Sequence, residues 1–450
     1  MPLPTSVDRL TPPAAASSAW AAAARLVRAT GFGGTGTAID AAAAMGPAAY
    51  LTKTLAADPV RDAGALATPA PELEVLPKLG KDADPAARKA RNKEVSAQTQ
   101  QLTTWWIRRM VAAEQPFGER LTLTWHNHFA TSNAKVRNAR WMLAQNQKLR
   151  TLGRGDFRTL ALAMLTDAAM LSWLDGQQNT VGAPNENLSR EFLELFALGH
   201  GDGYTEQDVR DGARALTGWR INPDGSTVRR AALHDDSGKT MLGVTGNLDE
   251  KSYCDAALAP AAAPRYLVTR MYGQLVSDHA PTVAAVSAGV DGYGSGRSIP
   301  GLVTALLGSP DFVAAMGTRV IGPVEWLVGA LRALRVPMEK PSTVQNAMGV
   351  LRGLGQLPFA PPTVAGWPSG AAWLSTAAAD LRMSTAMSLA AKADLDPINS
   401  AAASERIAAT GYLLGIGSWS DRTAAVLKGF TADPKRLVTV ALNSPEYLTY

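Results

Sequence analysis

Cysteine is nearly missing from this chain: Cys254 is the only one in 450 residues. An intrachain disulfide is thereby excluded, and so is any zinc or iron–sulfur centre built from several thiolates. No run approaches the ~20 apolar residues that a membrane-spanning helix requires. Residues 1–13 are polar and proline-bearing, without a basic region followed by an apolar core, so no ordinary signal peptide is expected. The cytoplasm is then the default compartment, with export needing a partner. Excess charge is missing too, since 44 basic residues against 39 acidic ones leave only +5. With no recognition module in view, that argues against nucleic acid as a ligand. The densest basic stretch, residues 78–93, mixes Lys81, Arg88, Lys89 and Arg91 with Asp82 and Asp84, as a solvated helix face does. Three catalytic signatures are also absent. There is no G-x-S-x-G elbow and no pair of histidines at i, i+4 around a glutamate. Ser237-Gly238-Lys239-Thr240 lacks the upstream glycine of a phosphate-binding loop.

What remains is a helix-forming composition. Hydrophobic residues make up 46% of the chain and charged ones 18%, enough apolar surface for a substantial core. Aromatics are only 6%, and alanine is abundant. Apolar periodicity, punctuated by glycine and proline, predicts short helices over 20–30, 38–45 and 48–56 and a long one over 85–114. Others are expected over 116–129, 136–152, 157–174 and 205–219, the last opened by a capping box at Thr205. Residues 220–244 break the pattern; Pro223-Asp224-Gly225 is a strong turn signal. Helices resume at Tyr253. The fold class is therefore mainly α, a multi-helix globular bundle with a small β-hairpin or loop insertion near 220–244. One large helical domain over 1–450 is expected, with an N-terminal helical subregion (14–80), a central motif region (100–244) and a C-terminal helical region (253–450). An internal echo links Ser309-Pro310-Asp311-Phe312 to Ser444-Pro445-Glu446-Tyr447, each following an apolar helix end. In both, serine suits a helix cap and proline the first helical position.

The most informative run is Asn185-Glu186-Asn187-Leu188-Ser189-Arg190-Glu191-Phe192-Leu193-Glu194-Leu195-Phe196. Read as one helix, Leu188, Phe192, Leu195 and Phe196 share a side, which Leu193 and Ala197 extend. Asn187, Arg190, Glu191 and Glu194 are confined to about a third of the circumference. A helix apolar around most of its girth is usually buried, so its charges must be paired, ligated or lining a cavity. The run is either a structural ion-pair node or the wall of a functional site.

Of the five histidines, His126 and His128 stand closest, in Trp125-His126-Asn127-His128-Phe129. Positions i and i+2 of a helix point about 200° apart, so both could hold one metal ion only if the helix unwinds there. His234-Asp235-Asp236-Ser237-Gly238-Lys239 gathers a histidine, two carboxylates and an amine on a turn, although turns attract such residues anyway. Trp367 and Trp373, in a long Pro/Gly/Trp-rich loop, suit either a platform for a sugar ring or a plug holding the loop down.

These residues carry a resemblance. The 185–199 block, Tyr204-Thr205-Glu206-Gln207-Asp208-Val209 and Ala213-Arg214-Ala215-Leu216-Thr217-Gly218-Trp219 resemble the bacterial family called domain of unknown function 1800. Residues 125–129, 234–243, 323–334 and Gly366-Trp367-Pro368 are similar to its other blocks in the same order, and residues 25–34 to its start. Ser189 and His200 depart from the pattern. The resemblance implies a mainly helical fold without an established reaction. Genes of this family often stand beside those of domain of unknown function 1501, whose members look like exported phosphatases or sulfatases, which implies an envelope role and a protein partner of that family.

Two functions follow as expectations. In the first, the chain is a hydrolase or lyase acting on a glycan or ester linked to the cell envelope. Glu191 and Glu194 are its acid/base pair and His126, His128 and His234 its proton carriers. Asn185, Asn187, Arg190, Asp208, Lys239, Trp367 and Trp373 then bind substrate, and a divalent metal would find its candidate ligands in His126, His128, Glu191 and Glu194. In the second, the chain is a non-catalytic binding or scaffold partner of the exported phosphatase-like protein, and the same polar groups lock the helices together.

Overall fold

Capping residues set most helix ends where the sequence puts them. The computed structural model describes residues 17–76, 79–80, 82–201 and 203–450. Residues 1–16, including the start of the expected 14–80 subregion, and Lys78 and Lys81 of the basic stretch lie outside the described residues. Among the described residues are 25 α-helices and two antiparallel two-stranded sheets, a mainly α fold. None of the described helices is long and apolar enough to cross a membrane.

The long helix, Pro85–Ala112, starts as expected at Pro85, and Asp84 caps it. Two predicted helices are each divided. Residues 136–152 break at Arg137, which takes a left-handed conformation (φ 53°), so that Asn133–Val136 precedes Ala139–Leu152. Residues 157–174 break at Asp167, whose carboxylate accepts the Ala169 and Met170 amides and starts a new helix, Ala168–Trp173. A mid-run aspartate is also a cap, and here the cap won.

At the centre lies Phe117–His128, all of whose residues are buried, charged ones included. Glu119 on it accepts from Arg109 (2.6 Å), Arg150 (2.7 and 2.8 Å) and the Trp106 indole (2.8 Å), so its carboxylate stays ionised and fully bonded. Around this helix one apolar cluster extends from Leu26 to Tyr450.

The expected hairpin region holds two hairpins. β1 (Trp219–Ile221) pairs with β2 (Thr227–Arg229) across the Pro223-Asp224-Gly225 turn, and β3 (Lys239–Met241) pairs with β4 (Val244–Gly246). The chain ends are tied by the first helix, Ser18–Ala29. Arg25 donates to the carbonyls of Val276 (2.9 Å) and Ala315 (2.8 Å) and stacks 4.3 Å from the Phe312 ring. Arg28, one turn on, donates to the carbonyls of Glu446 (2.9 Å) and Tyr447 (2.6 Å). Each copy of the Ser-Pro-acid echo is thus serine-capped and docked on its own arginine.

Candidate functional site

Asn185 opens the motif segment by accepting the Asn187 amide (3.0 Å), while its own amide donates to Asn179 (2.9 Å). After one α-turn, Asn187–Glu191, the backbone widens into a π-helix over Phe192–Ala197, closed by the Leu198 amide on the Leu193 carbonyl (2.9 Å). The wide turn inserts an extra residue per turn and rotates the faces. Leu193 and Ala197 are buried with Leu188, Phe192 and Phe196, but Leu195 is only half-buried, outside the seam expected for it.

Arg190 is the hub of the polar stripe. It holds Glu206 through two bonds (2.7 and 2.8 Å) and Glu186 through one (2.9 Å), and lies 3.8 Å from Glu194. Glu194 also meets Nδ1 of the exposed His200 at 3.3 Å. Glu191 differs from these acids. It is half-buried and has no hydrogen bond or ion pair among the described residues. Burial first, and then the charge of Glu194, push its pKa up. Asn187 is half-buried, and its side-chain amide makes no hydrogen bond among the described residues.

The helix through His126 and His128 is intact, and the rings leave it on different sides. His126 sits between the Trp106, Phe359 and Trp367 rings, with centroids 5.3–5.4 Å away, and its Nε2 accepts the Phe359 amide (3.2 Å). His128 packs against Phe129, Phe157 and Phe196 and donates from Nε2 to the Phe196 carbonyl (3.1 Å). Burial lowers both pKa values to about 3, so both rings are neutral. The metal set of His126, His128, Glu191 and Glu194 does not assemble, and no three His, Cys, Asp or Glu side chains among the described residues are grouped to hold a metal.

His234 and Lys239 stand at a different place from the motif helix. His234 donates from Nδ1 to the Thr217 carbonyl (3.0 Å), just past the end of the helix Glu206–Ala215 whose start carries Glu206. At ~1.5 Å of rise per residue, Glu206 and Thr217 are ~16 Å apart. No hydrogen bond or ion pair among the described residues joins His234 to Glu191 or Glu194. Lys239 is buried, its ammonium donating to the carbonyls of Asp235 and Ser237 and to Asn247. Asp208 is engaged by the Thr205 capping box and by the Leu242 amide (2.6 Å). Trp367 and Trp373 are each 5% exposed, so they plug their loop onto the helices. The Trp367 amide donates to Asn127 Oδ1 (2.7 Å), and the Trp373 carbonyl accepts from Arg382 (2.7 Å).

A second polar centre was missed by sequence reasoning. Arg120, Leu123 and Asn127 lie at i, i+3 and i+7 on the central helix, one stripe, and line a narrow cavity with Asp278, Arg319, Glu325, Gln356 and the loop residues Pro368, Ser369 and Trp373. Glu325 pairs with Arg120 and, through two bonds (2.6 and 2.9 Å), with Arg319. Asp278 Oδ2 accepts the Val320 amide (2.7 Å), and Gln356 Oε1 the Val324 amide (2.9 Å). The signal was Arg120 and Asn127 on one face of the helix, but the histidines beside Asn127 masked it. Three blocks of the resemblance, 125–129, 323–334 and 366–368, converge here.

A family profile described as "Protein of unknown function (DUF1800)" matches residues 25–449. No curated protein and no solved structure matches the chain. With nearly the whole sequence inside that match, the chain belongs to the DUF1800 family.

Proposed function

We propose that the chain is an acid–base enzyme whose working pair is Glu191 and Glu194, hydrolysing a glycan or ester of the cell envelope. The observation that carries this reading is the unpartnered, half-buried Glu191 beside a carboxylate held by Arg190 and His200. Two carboxyl groups in unlike surroundings are suited to opposite roles. Glu191 retains its proton to higher pH and serves as the acid that protonates a leaving oxygen. Glu194, beside the Arg190 guanidinium, serves as base for water or as nucleophile. Asn187, with its amide unspent, is placed to orient substrate. His126, His128, Asp208 and Lys239 act by fixing the framework, since their polar atoms are engaged or enclosed. The envelope setting, and a phosphatase-like partner of the domain of unknown function 1501 family, rest on the resemblance alone.

The test is Glu191→Gln, assayed on isolated cell-envelope polysaccharide for released reducing ends and for released acyl groups. Turnover should fall by ~10²–10⁴, the usual worth of a general acid, with circular dichroism unchanged. Unaltered release by the folded variant would refute the assignment. Loss of fold would return Glu191 to a structural role.

A further inference from the structure

The cavity under the 366–373 loop has unspent donors, a closely balanced set of charges and little room. Asn127 and Gln356 each use the amide oxygen, on the Trp367 and Val324 amides, and neither NH₂ group donates to any described residue. Arg120 and Arg319 are buried, and each leaves its Nε–H without an acceptor. Two guanidinium groups, Arg120 and Arg319, thus face two carboxylates, Glu325 and Asp278, and a proton on Asp278 leaves one positive charge in excess. Surplus buried charge is costly unless a counter-ion or a proton adjustment offsets it. The free volume is about 20 Å³, room for a water or a small ion and none for a sugar ring.

We propose that this cavity binds one small monovalent anion, of chloride or formate size, taken up together with a proton on Asp278. Once Asp278 is protonated, a water molecule could satisfy the amide donors but not the excess charge. Asp278 keeps Oδ2 on the Val320 amide and has Oδ1 free; ionised, that oxygen repels an anion, and protonated it donates to one. The groups facing Asp278 are Arg319 from the turn before Pro323–Ala333, Glu325 from the first turn of that helix, Arg120 from the central helix and the adjacent His279. Burial already favours its neutral form. The loop lies directly on the site, for a Cβ at Gly370 would stand 3.3 Å from Asp278 Cγ. The site is independent of the Glu191–Glu194 pair, so either assignment can fail without the other.

The test replaces sodium gluconate, too large to enter, by sodium formate at constant ionic strength and follows the melting temperature of the full chain. A saturable rise is expected, with apparent affinity at least about tenfold higher at pH 5 than at pH 8. Asp278→Asn, which retains the acceptor for Val320, should bind equally at both pH values. Asn127→Asp and Gln356→Glu keep their backbone acceptors but turn a donor into a charged acceptor, and each should weaken formate at least about tenfold. Crystals soaked in sodium bromide should show one anomalous peak beside Asn127 and Gln356. No saturable rise, wild-type affinity in both donor-reversal variants, equal affinity at pH 5 and pH 8 in the wild type, or water alone in the bromide crystals would overturn the proposal. Should a donor-reversal variant not fold, Asp278→Asn and the bromide density decide.

Discussion

His126 and His128 enter the core uncharged, and this has a measurable cost in acid. Their folded pKa values, about 3, lie below the ordinary 6.5, so between these limits the unfolded chain binds more protons than the native one. Stability conferred by the neutral rings is complete above pH 6.5 and declines as pH falls, by ~1.4 kcal/mol per unit for each histidine. Urea unfolding should therefore lose about 3 kcal/mol from pH 6.5 to pH 5, before the carboxylates titrate. Replacing His126 by Phe should halve that slope while lowering stability at pH 7, because the Phe359 amide loses its acceptor. A wild-type profile flat from pH 6.5 to pH 5 would contradict the burial of both rings. For Glu191 the sign is opposite. Its raised pKa means the native state holds a proton more tightly, so stability falls as pH rises from the ordinary carboxyl value through the folded one. Glu191→Gln should accordingly melt no lower than wild type at pH 7, a result that an ion-pair node would not give.

The elements were legible where a local rule fixes them. Thr205 and Asp208 form the expected box, in which the Thr205 hydroxyl accepts the Asp208 amide (3.2 Å) and Asp208 accepts the Thr205 amide (2.8 Å). Pro223-Asp224-Gly225 turns the first hairpin. The second hairpin escaped notice because its turn puts Leu242 at φ 50°, a conformation leucine does not advertise. It is held by Asp208, 34 positions earlier, bonding the Leu242 amide. The site was half legible for the same reason. Periodicity found the Arg190 stripe and the opposed histidines, but the Asn127–Trp367 bond joins residues 240 apart and has no local signature. Gly212 is another long-range demand written as a single letter. A Cβ there would stand 2.4 Å from Ser189 Oγ and 2.5 Å from the Tyr253 ring, where the Glu206–Ala215 helix presses on the motif segment. Alanine gains up to ~1 kcal/mol of helix propensity over glycine, whereas forcing a methyl into a packed contact costs ~1–3 kcal/mol. Gly212→Ala should thus be net destabilising by chemical denaturation, and a stabilised variant would mean that the two helices separate freely.

At the scale of the molecule, the sequence is closed into a ring by its first helix. The family match opens at Arg25 and ends at residue 449, and Arg25 and Arg28 bind the two copies of the Ser-Pro-acid echo. Among the described residues neither arginine pairs with a carboxylate; both donate to main-chain carbonyls, where the two arms of a guanidinium can serve two oxygens at once. Burial works against the charge of Arg28, so charge alone cannot be what the position supplies. Arg28→Lys should therefore be nearly as damaging as Arg28→Ala, each costing ~2–4 kcal/mol from carbonyls left without a donor. If lysine restored wild-type stability, the contact would be electrostatic and the fork irrelevant. The timing of the loss is also fixed by the fold. Arg28 and Tyr447 are 419 positions apart, and contacts of such separation repay their loop entropy only after most of the chain is in place. A late contact leaves the folding rate nearly unchanged and appears in unfolding instead. The expected signature of Arg28→Ala is thus an unfolding limb raised by ~30- to 800-fold, the ~2–4 kcal/mol above expressed as a rate, over an unmoved folding limb. A slowed folding limb would place the closure of the chain ends early, in the nucleus.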